Sequence, residues 1–413
     1  MTTESNHTCC IAGGGPAGMM LGYLLARAGI DVVVLEKHGD FLRDFRGDTI
    51  HPSTLELMHE LRLLDDFLKR PHQEAGRITG VVGDEEVVVA DFSHLPTKCR
   101  FIGLMPQWDF LDFMKERATR YPTFHLRMRA EVVGLIEEAG RVVGVRAKTP
   151  EGPLEVRAGL IVGADGRHST VRELSGLRVQ DIGAPIDVLW MRLPRRPSDP
   201  VSLFGRFASG KVFVMLDRGD YWQCAYLIRK GGLDEIRRRG LDAFRESVAE
   251  VAPLMRDRVG ELKDWDDIKL LTVTVDRLRR WYRPGLLCIG DAAHAMSPIG
   301  GVGINLAIQD AVAAANILAA PLRAGPVGAD TLRRVQRRRE FPTRLTQRLQ
   351  VFVQNRILSG ILTRKTQLSL PLPLRLIRAF PILSRIPARV IGMGFRPEHI
   401  ETPDAFGTTG RHP

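Results

Sequence analysis

Thr8-Cys9-Cys10-Ile11-Ala12-Gly13-Gly14-Gly15-Pro16-Ala17-Gly18 runs into Met19 to Ala28 and then into Asp31-Val32-Val33-Val34-Leu35-Glu36. The apolar run before Gly13 reads as a strand, the Leu-, Met- and Ala-rich run after Gly18 as a helix, and Val32 to Leu35 as a second strand. The result is β-α-β with G-x-G-x-x-G at its first turn and an acid closing the second strand. Gly13 allows a tight turn, Gly15 lets a pyrophosphate approach the backbone, and Gly18 lets helix and strand pack closely. Pro16 and Ala17 open the helix, whose free N–H groups and positive dipole end face the phosphates. Glu36, 18 residues beyond Gly18, suits a ribose diol. These residues predict a dinucleotide site without separating FAD from NAD.

Two later stretches repeat the theme of a strand that delivers an acid to a turn. Leu160-Ile161-Val162-Gly163-Ala164-Asp165-Gly166 precedes a helix beginning near Ser169. Gly285-Leu286-Leu287-Cys288-Ile289-Gly290-Asp291-Ala292-Ala293-His294 leads into Ser297-Pro298-Ile299-Gly300-Gly301-Val302-Gly303-Ile304-Asn305 and an Ala-rich helix through Leu318. The second Gly-rich loop also feeds a helix N-terminus, which suits another anionic group.

In order and spacing the three motifs resemble the single-component FAD-dependent aromatic hydroxylases typified by para-hydroxybenzoate hydroxylase, over roughly residues 8 to 320. The resemblance implies that Gly13, Gly15, Gly18 and Glu36, with neighbouring Pro16, Ala17 and Lys37, hold the ADP half of FAD. It implies further FAD contacts from Arg46, Gln107 and Val133, and a supporting role for Asp165. Asp291 would bind the ribityl chain. Pro298, Gly301, Gly303, Ile304 and Asn305 would run beside the isoalloxazine. His294 is expected to pack rather than act as a base. The implied cycle is reduction of FAD by NADPH or NADH, capture of O2 as a flavin C4a-hydroperoxide, and transfer of its distal oxygen to an aromatic small molecule. No catalytic side chain is singled out. Direct C=C reduction, Baeyer–Villiger insertion and epoxidation are the enzymatic alternatives; an FAD-fold carrier of prenylated or lipid-like ligands is the non-enzymatic one.

Composition agrees with a globular chain of two or three domains: 413 residues, 44% hydrophobic and 26% charged. Fifty-nine Lys and Arg against 48 Asp and Glu leave a net charge of +11, which favours anionic partners. Arg333, Arg334, Arg337, Arg338, Arg339, Arg344 and Arg348 crowd one stretch and read as a solvated helix face. Five cysteines without a CxxC pair, and an N-terminus without a signal peptide, suit a reduced cytoplasm. The dinucleotide fingerprint occurs once, so no separate NAD(P)H domain is expected. No His/Cys cluster has metal-ligand spacing, so no metal is expected. A Gly-x-Ser-x-Gly elbow, a P-loop and basic-aromatic interleaving for nucleic acid are missing from the sequence.

The predicted architecture is α/β: a Rossmann-like FAD domain from 1–75, 100–185 and 270–340, a mostly antiparallel substrate sheet from 76–99 and 186–269, and a helical tail from 341–413. Strands are expected at Asp187 to Leu193, Val201 to Phe207, Lys211 to Leu216, Tyr221 to Ile228 and Leu270 to Val275, with a strand pair turning at Gly83-Asp84 and a helix at Leu241 to Ala252. Trp190, Phe213, Met215, Gln223, Tyr226 and Pro298 are the candidate substrate-pocket residues. The tail carries Arg375, Arg378, Arg385 and Arg389 on an apolar background broken by prolines. It reads either as a cap over the substrate entrance or as a peripheral membrane contact.

Overall fold

Five parallel strands stand side by side behind the glycine motifs. Thr3–Ala12 pairs in parallel with Val32–Glu36 on one side and Gly152–Gly163 on the other. Leu286–Cys288 extends the sheet beyond Gly152–Gly163, and Phe124–Met128 extends it beyond Val32–Glu36. The computed structural model describes residues 3–42, 49–83, 85–199, 203–363 and 370–407. Burial on both faces explains the continuous apolar runs: Val32 to Leu35 are 0–1% exposed. The helices Pro16–Arg27 and Val302–Ala324 pack on this sheet and bury most of their lengths. The stretch Ile299–Ala324 is apolar enough to cross a membrane, yet 78% of its most apolar window lies inside the protein. It is the central core helix.

A second sheet of seven strands has the order Lys269–Leu271, Ile186–Pro194, Tyr221–Arg229, Lys211–Asp217, Leu203–Ala208, Arg77–Val82, Glu85–Asp91. Its pairings are antiparallel except between Leu203–Ala208 and Arg77–Val82. The strand expected to run from Leu270 to Val275 pairs only over Lys269–Leu271. Beyond it Val273 donates its N–H to the buried Asp187 carboxylate, which diverts the chain from the ladder. The helix expected from Leu241 forms at Leu241–Val251. Asp84 and the first residues of the strand expected from Val201 lie outside the described residues.

The tail packs in two ways. Leu358, Ile361 and Leu362 join Val188, Val212, Ala225 and Leu227 on one face of the second sheet. Further on, Leu370, Leu374 and Ile377 cover Val82 and Val87, while Ala388 and Ile391 pack with Ala90, Phe92 and Leu95. The edge strand Glu85–Asp91 is thereby covered by helices, which removes an exposed pairing edge.

The arginine run is not wholly solvated. Arg339 is 1% exposed and donates to Asp310 at 2.9 Å and to Glu398 at 3.0 Å. Asp310 is also fully buried and accepts from the Gly290 N–H at 3.1 Å, with His294 Nε2 at 2.5 Å. Burial alone would raise the Asp310 carboxyl pKa, but His294 and Arg339 hold it below the usual carboxylate range. The network ties the core helix, the arginine helix, the Gly290 turn and the Glu398 segment together. Asp310→Ala takes one of two carboxylates from the buried Arg339 guanidinium and is expected to lower stability by about 3 kcal/mol, measured by urea unfolding; a loss below about 1 kcal/mol would mean that the network relaxes freely.

Candidate active site

The site lies where the C-terminal ends of the parallel strands meet two helix N-termini. Gly13 has φ +105°, and a Cβ there would sit 2.5 Å from the Ala164 carbonyl oxygen. The first and second motifs therefore touch through backbone. A Cβ on Gly18 would lie 1.9 Å from the Gly13 oxygen, so only glycine allows this helix–turn approach. Gly15 differs: its Cβ would meet only the Ala164 oxygen, at 4.0 Å. The space in front of Gly15 is a cradle, and it faces a helix with no side-chain N-cap and no acid in its first turn. The third motif joins the same point, because a Cβ on Gly290 would lie 3.1 Å from Ala307 and 3.2 Å from Ala17.

Glu36 is buried, and its carboxylate accepts from the Gly14 N–H at 2.9 Å and the His38 N–H at 3.0 Å. Lys37 is exposed beside it. The Ala130 N–H donates to the Glu36 carbonyl, which sets the start of the Glu131–Glu138 strand, and Val133 on it, close to the acid. Gln107 sits half-buried at the start of the Gln107–Ala118 helix, whose N-terminus also has no side-chain cap. Asp165 binds Ser169 Oγ and the Val171 N–H, so it secures the turn and the helix after it; burial pushes its carboxyl pKa up. Arg46 lies outside the described residues.

The loop Pro298 to Asn305 runs beside Thr49. Gly300 and Gly301 have φ +77° and +62°, and a Cβ on Gly301 would lie 2.3 Å from Thr49 Oγ1. Gly303 and Ile304 follow in the first turn of Val302–Ala324, which again has neither side-chain cap nor acid there. Asn305 is placed as a brace. Its Oδ1 accepts from the His51 N–H and Thr54 Oγ1, both at 2.8 Å, and its Nδ2 donates to the Thr49 carbonyl at 3.0 Å. Asp291 lies half-buried on the Gly290–Ala292 turn. His294 is buried against the Trp281 ring, with centroids 4.9 Å apart, and is committed to Asp310.

The pocket candidates on the second sheet are divided between its two faces. Phe213 pairs across the sheet with Tyr226 and Met215 with Cys224. Phe213, Met215 and Tyr226 share the face that packs on Phe244 and Val248 of the Leu241–Val251 helix, away from the glycine loop. The Tyr226 hydroxyl bonds Ser247 Oγ at 2.7 Å, and burial pushes its phenol pKa up. Strand alternation puts Trp190 and Gln223 on the opposite face. There Trp190 and Ile299, the residue after Pro298, both border the buried cluster of Ile186, Val188, Val212, Ala225 and Leu227. Both faces are apolar because one packs on the Leu241–Val251 helix and the other on the tail residues Leu358, Ile361 and Leu362, so composition could not tell them apart.

Thr49, His51 and Asp310 escaped the sequence reading. The signal for Asp310 was a single acid within an otherwise uncharged helical stretch. His51 has no comparable signal; burial pushes its imidazole pKa down to about 4, and its ring nitrogen Nδ1 donates to the Ile391 carbonyl at 2.8 Å. That bond links the tail to the loop system.

The family model described as FAD binding domain matches residues 6–349. The chain belongs to the FAD binding domain family. It is 35% identical to 6-methylpretetramide 4-monooxygenase of Streptomyces rimosus over 359 residues, 86% of each chain. It is 29% identical to dialkyldecalin synthase of Streptomyces rugosporus, covering 74% of this chain and 64% of that protein. Among solved structures, PqsL of Pseudomonas aeruginosa superposes with a TM-score of 0.73 at 22% identity, covering 87% of this chain and 98% of that one; this likeness concerns the fold. The chain is an FAD-dependent oxidoreductase. The open cradle at Gly15, the bound Glu36 carboxylate and two helix N-termini without acids fit FAD's ribose, pyrophosphate and electron-poor ring edge.

Two glycine substitutions separate fold from cofactor. Gly15→Ala is expected to leave apoprotein stability within about 0.5 kcal/mol while weakening FAD binding, because its Cβ enters the cradle. Gly18→Ala is expected to fail in both, because its Cβ collides with backbone. FAD fluorescence titration and thermal unfolding check both; equal effects would show that Gly15 has a structural role.

Proposed function

We propose that this protein is a monooxygenase that uses NAD(P)H and O2 to hydroxylate a polycyclic aromatic polyketide. The observation that carries the reading is the 35% identity to 6-methylpretetramide 4-monooxygenase across 86% of both chains. The FAD motifs converge within the same matched region. Bound FAD supplies redox chemistry with NAD(P)H and the activation of O2.

The chain's own residues hold and insulate that group. Gly13, Gly15, Gly18, Glu36 and the Pro16–Arg27 N-terminus take the ADP half. Asp291 takes the ribityl chain, and Gly301 to Ile304 offer backbone N–H groups to the ring. Trp190 and Gln223 stand on the sheet face whose apolar cluster is bordered by Ile299 and closed by the tail residues Leu358, Ile361 and Leu362. An apolar roof excludes water, which a reactive oxygen-transfer step requires. NADPH or NADH would be the electron donor, and the reduced cytoplasm suits five unpaired, buried cysteines.

A second reading follows from the dialkyldecalin synthase relative, whose name describes ring formation. Anaerobic mixing of the FAD-loaded protein with NADPH or NADH separates the two. Faster flavin bleaching in the presence of polycyclic phenols, followed in air by a product heavier by one oxygen atom, is expected. Ligand conversion without NAD(P)H consumption would move the assignment to a synthase.

The tail also supports a peripheral contact with an anionic membrane. Leu372, Phe380, Ile382 and Ile386 are 59–68% exposed, and none of the Leu372–Ala379 helix is buried. Arg375, Arg378, Arg385 and Arg389 stand among them, a pattern that joins apolar insertion to attraction for acidic headgroups. Co-flotation with phosphatidylglycerol vesicles, weakened by salt and lost in Leu376→Glu/Phe380→Glu, is expected. Equal recovery with phosphatidylcholine vesicles, or no change in the variant, would remove this assignment.

A further inference from the structure

At the far ends of the same parallel strands, three side chains that the FAD site does not use come together. His7 lies on Thr3–Ala12, Asp31 immediately precedes Val32–Glu36, and His125 lies on Phe124–Met128. These three strands are consecutive neighbours in the sheet. His7 Nδ1 is 2.8 Å from Asp31 Oδ2, and His125 Nε2 is 2.9 Å from Asp31 Oδ1. The three ligand atoms lie within 4.8 Å of one another, and the two rings are 5.1 Å apart. No other group of three such ligands is found among the described residues.

We propose that His7, Asp31 and His125 form a binding site for a divalent transition-metal cation of the zinc class. Two imidazoles and a carboxylate are a donor set that such cations prefer, and a tetrahedral site completes it with water. Metal–ligand bonds of about 2.0–2.2 Å place neighbouring donor atoms roughly 3.3–3.5 Å apart. To admit the ion the carboxylate draws back by about half an ångström, and the two imidazole nitrogens, now within 4.8 Å of each other, settle at the same spacing. Each imidazole turns its lone pair inward by carrying its proton on the other ring nitrogen. Access is open, since the side chains of His125 and Asp31 are 45% and 38% exposed.

The ion would clip three strands at the end opposite the cofactor. His7 lies five residues before Ala12, roughly 17 Å away at about 3.3 Å per residue. Its role is therefore stabilising rather than catalytic, and it does not depend on the hydroxylase reading. Sequence spacing could not reveal the site, because the ligands are 24 and 94 residues apart.

The test uses untagged, FAD-loaded protein titrated with Zn2+ and, separately, Co2+. One equivalent should bind, raise the unfolding temperature and give the strong visible bands of tetrahedral Co2+. His125→Ala, at a half-exposed position, should fold, retain FAD and lose affinity roughly tenfold or more. His7→Ala should behave alike, and the exposed His399→Ala should bind as the parent does. The proposal is overturned if no one-equivalent binding is seen, or if His125→Ala binds as tightly as the parent. In either case the trio would be a hydrogen-bonded cluster only.

Discussion

The cofactor-side architecture depends on the close approach of Gly18 to the Gly13 backbone. A single methyl group at Gly18 would lie 1.9 Å from the Gly13 oxygen, so the first helix can reach the sheet only through glycine. That approach aims an uncapped helix N-terminus at the space before Gly15. The Gly13 turn in turn rests on Ala164, and the Gly290 turn rests on Ala17. Three distant segments thus come together because a glycine stands on one side of each meeting.

Burying charge supports the cradle from behind. Asp310 holds the Gly290 N–H, His294 and Arg339 at once. A buried carboxylate costs free energy unless its lone pairs are met, and here a neighbouring backbone turn is one of the donors. The turn that carries Asp291 is therefore anchored through the Gly290 N–H. Asn305 plays the matching role on the other loop, where all its polar atoms go to His51, Thr54, Thr49 and Gly301.

The second sheet has two unlike faces. One is sealed by the Leu241–Val251 helix and contains Phe213, Met215 and Tyr226. The other receives Trp190, Ile299 and the tail residues Leu358, Ile361 and Leu362. The tail is thus part of the enclosure beside the cofactor loop as well as a cover for the sheet edge. The His51–Ile391 bond connects these two features.

Glycine spacing, strand-ending acids and uncharged helix starts are local properties, so the sequence by itself determined the FAD-binding fold and the glycine turns at its centre. Gly13, Gly15, Gly18 and Glu36 needed only their order along the chain. Which face of an apolar strand meets the cofactor is not local, because a helix and a ligand demand the same side chains. Tertiary structure alone decided that Phe213, Met215 and Tyr226 turn away, that Arg339 is buried rather than solvated, and that His7, Asp31 and His125 meet. In each case the deciding contact comes from a strand or helix far off in sequence, where burial and charge pairing leave no periodic trace.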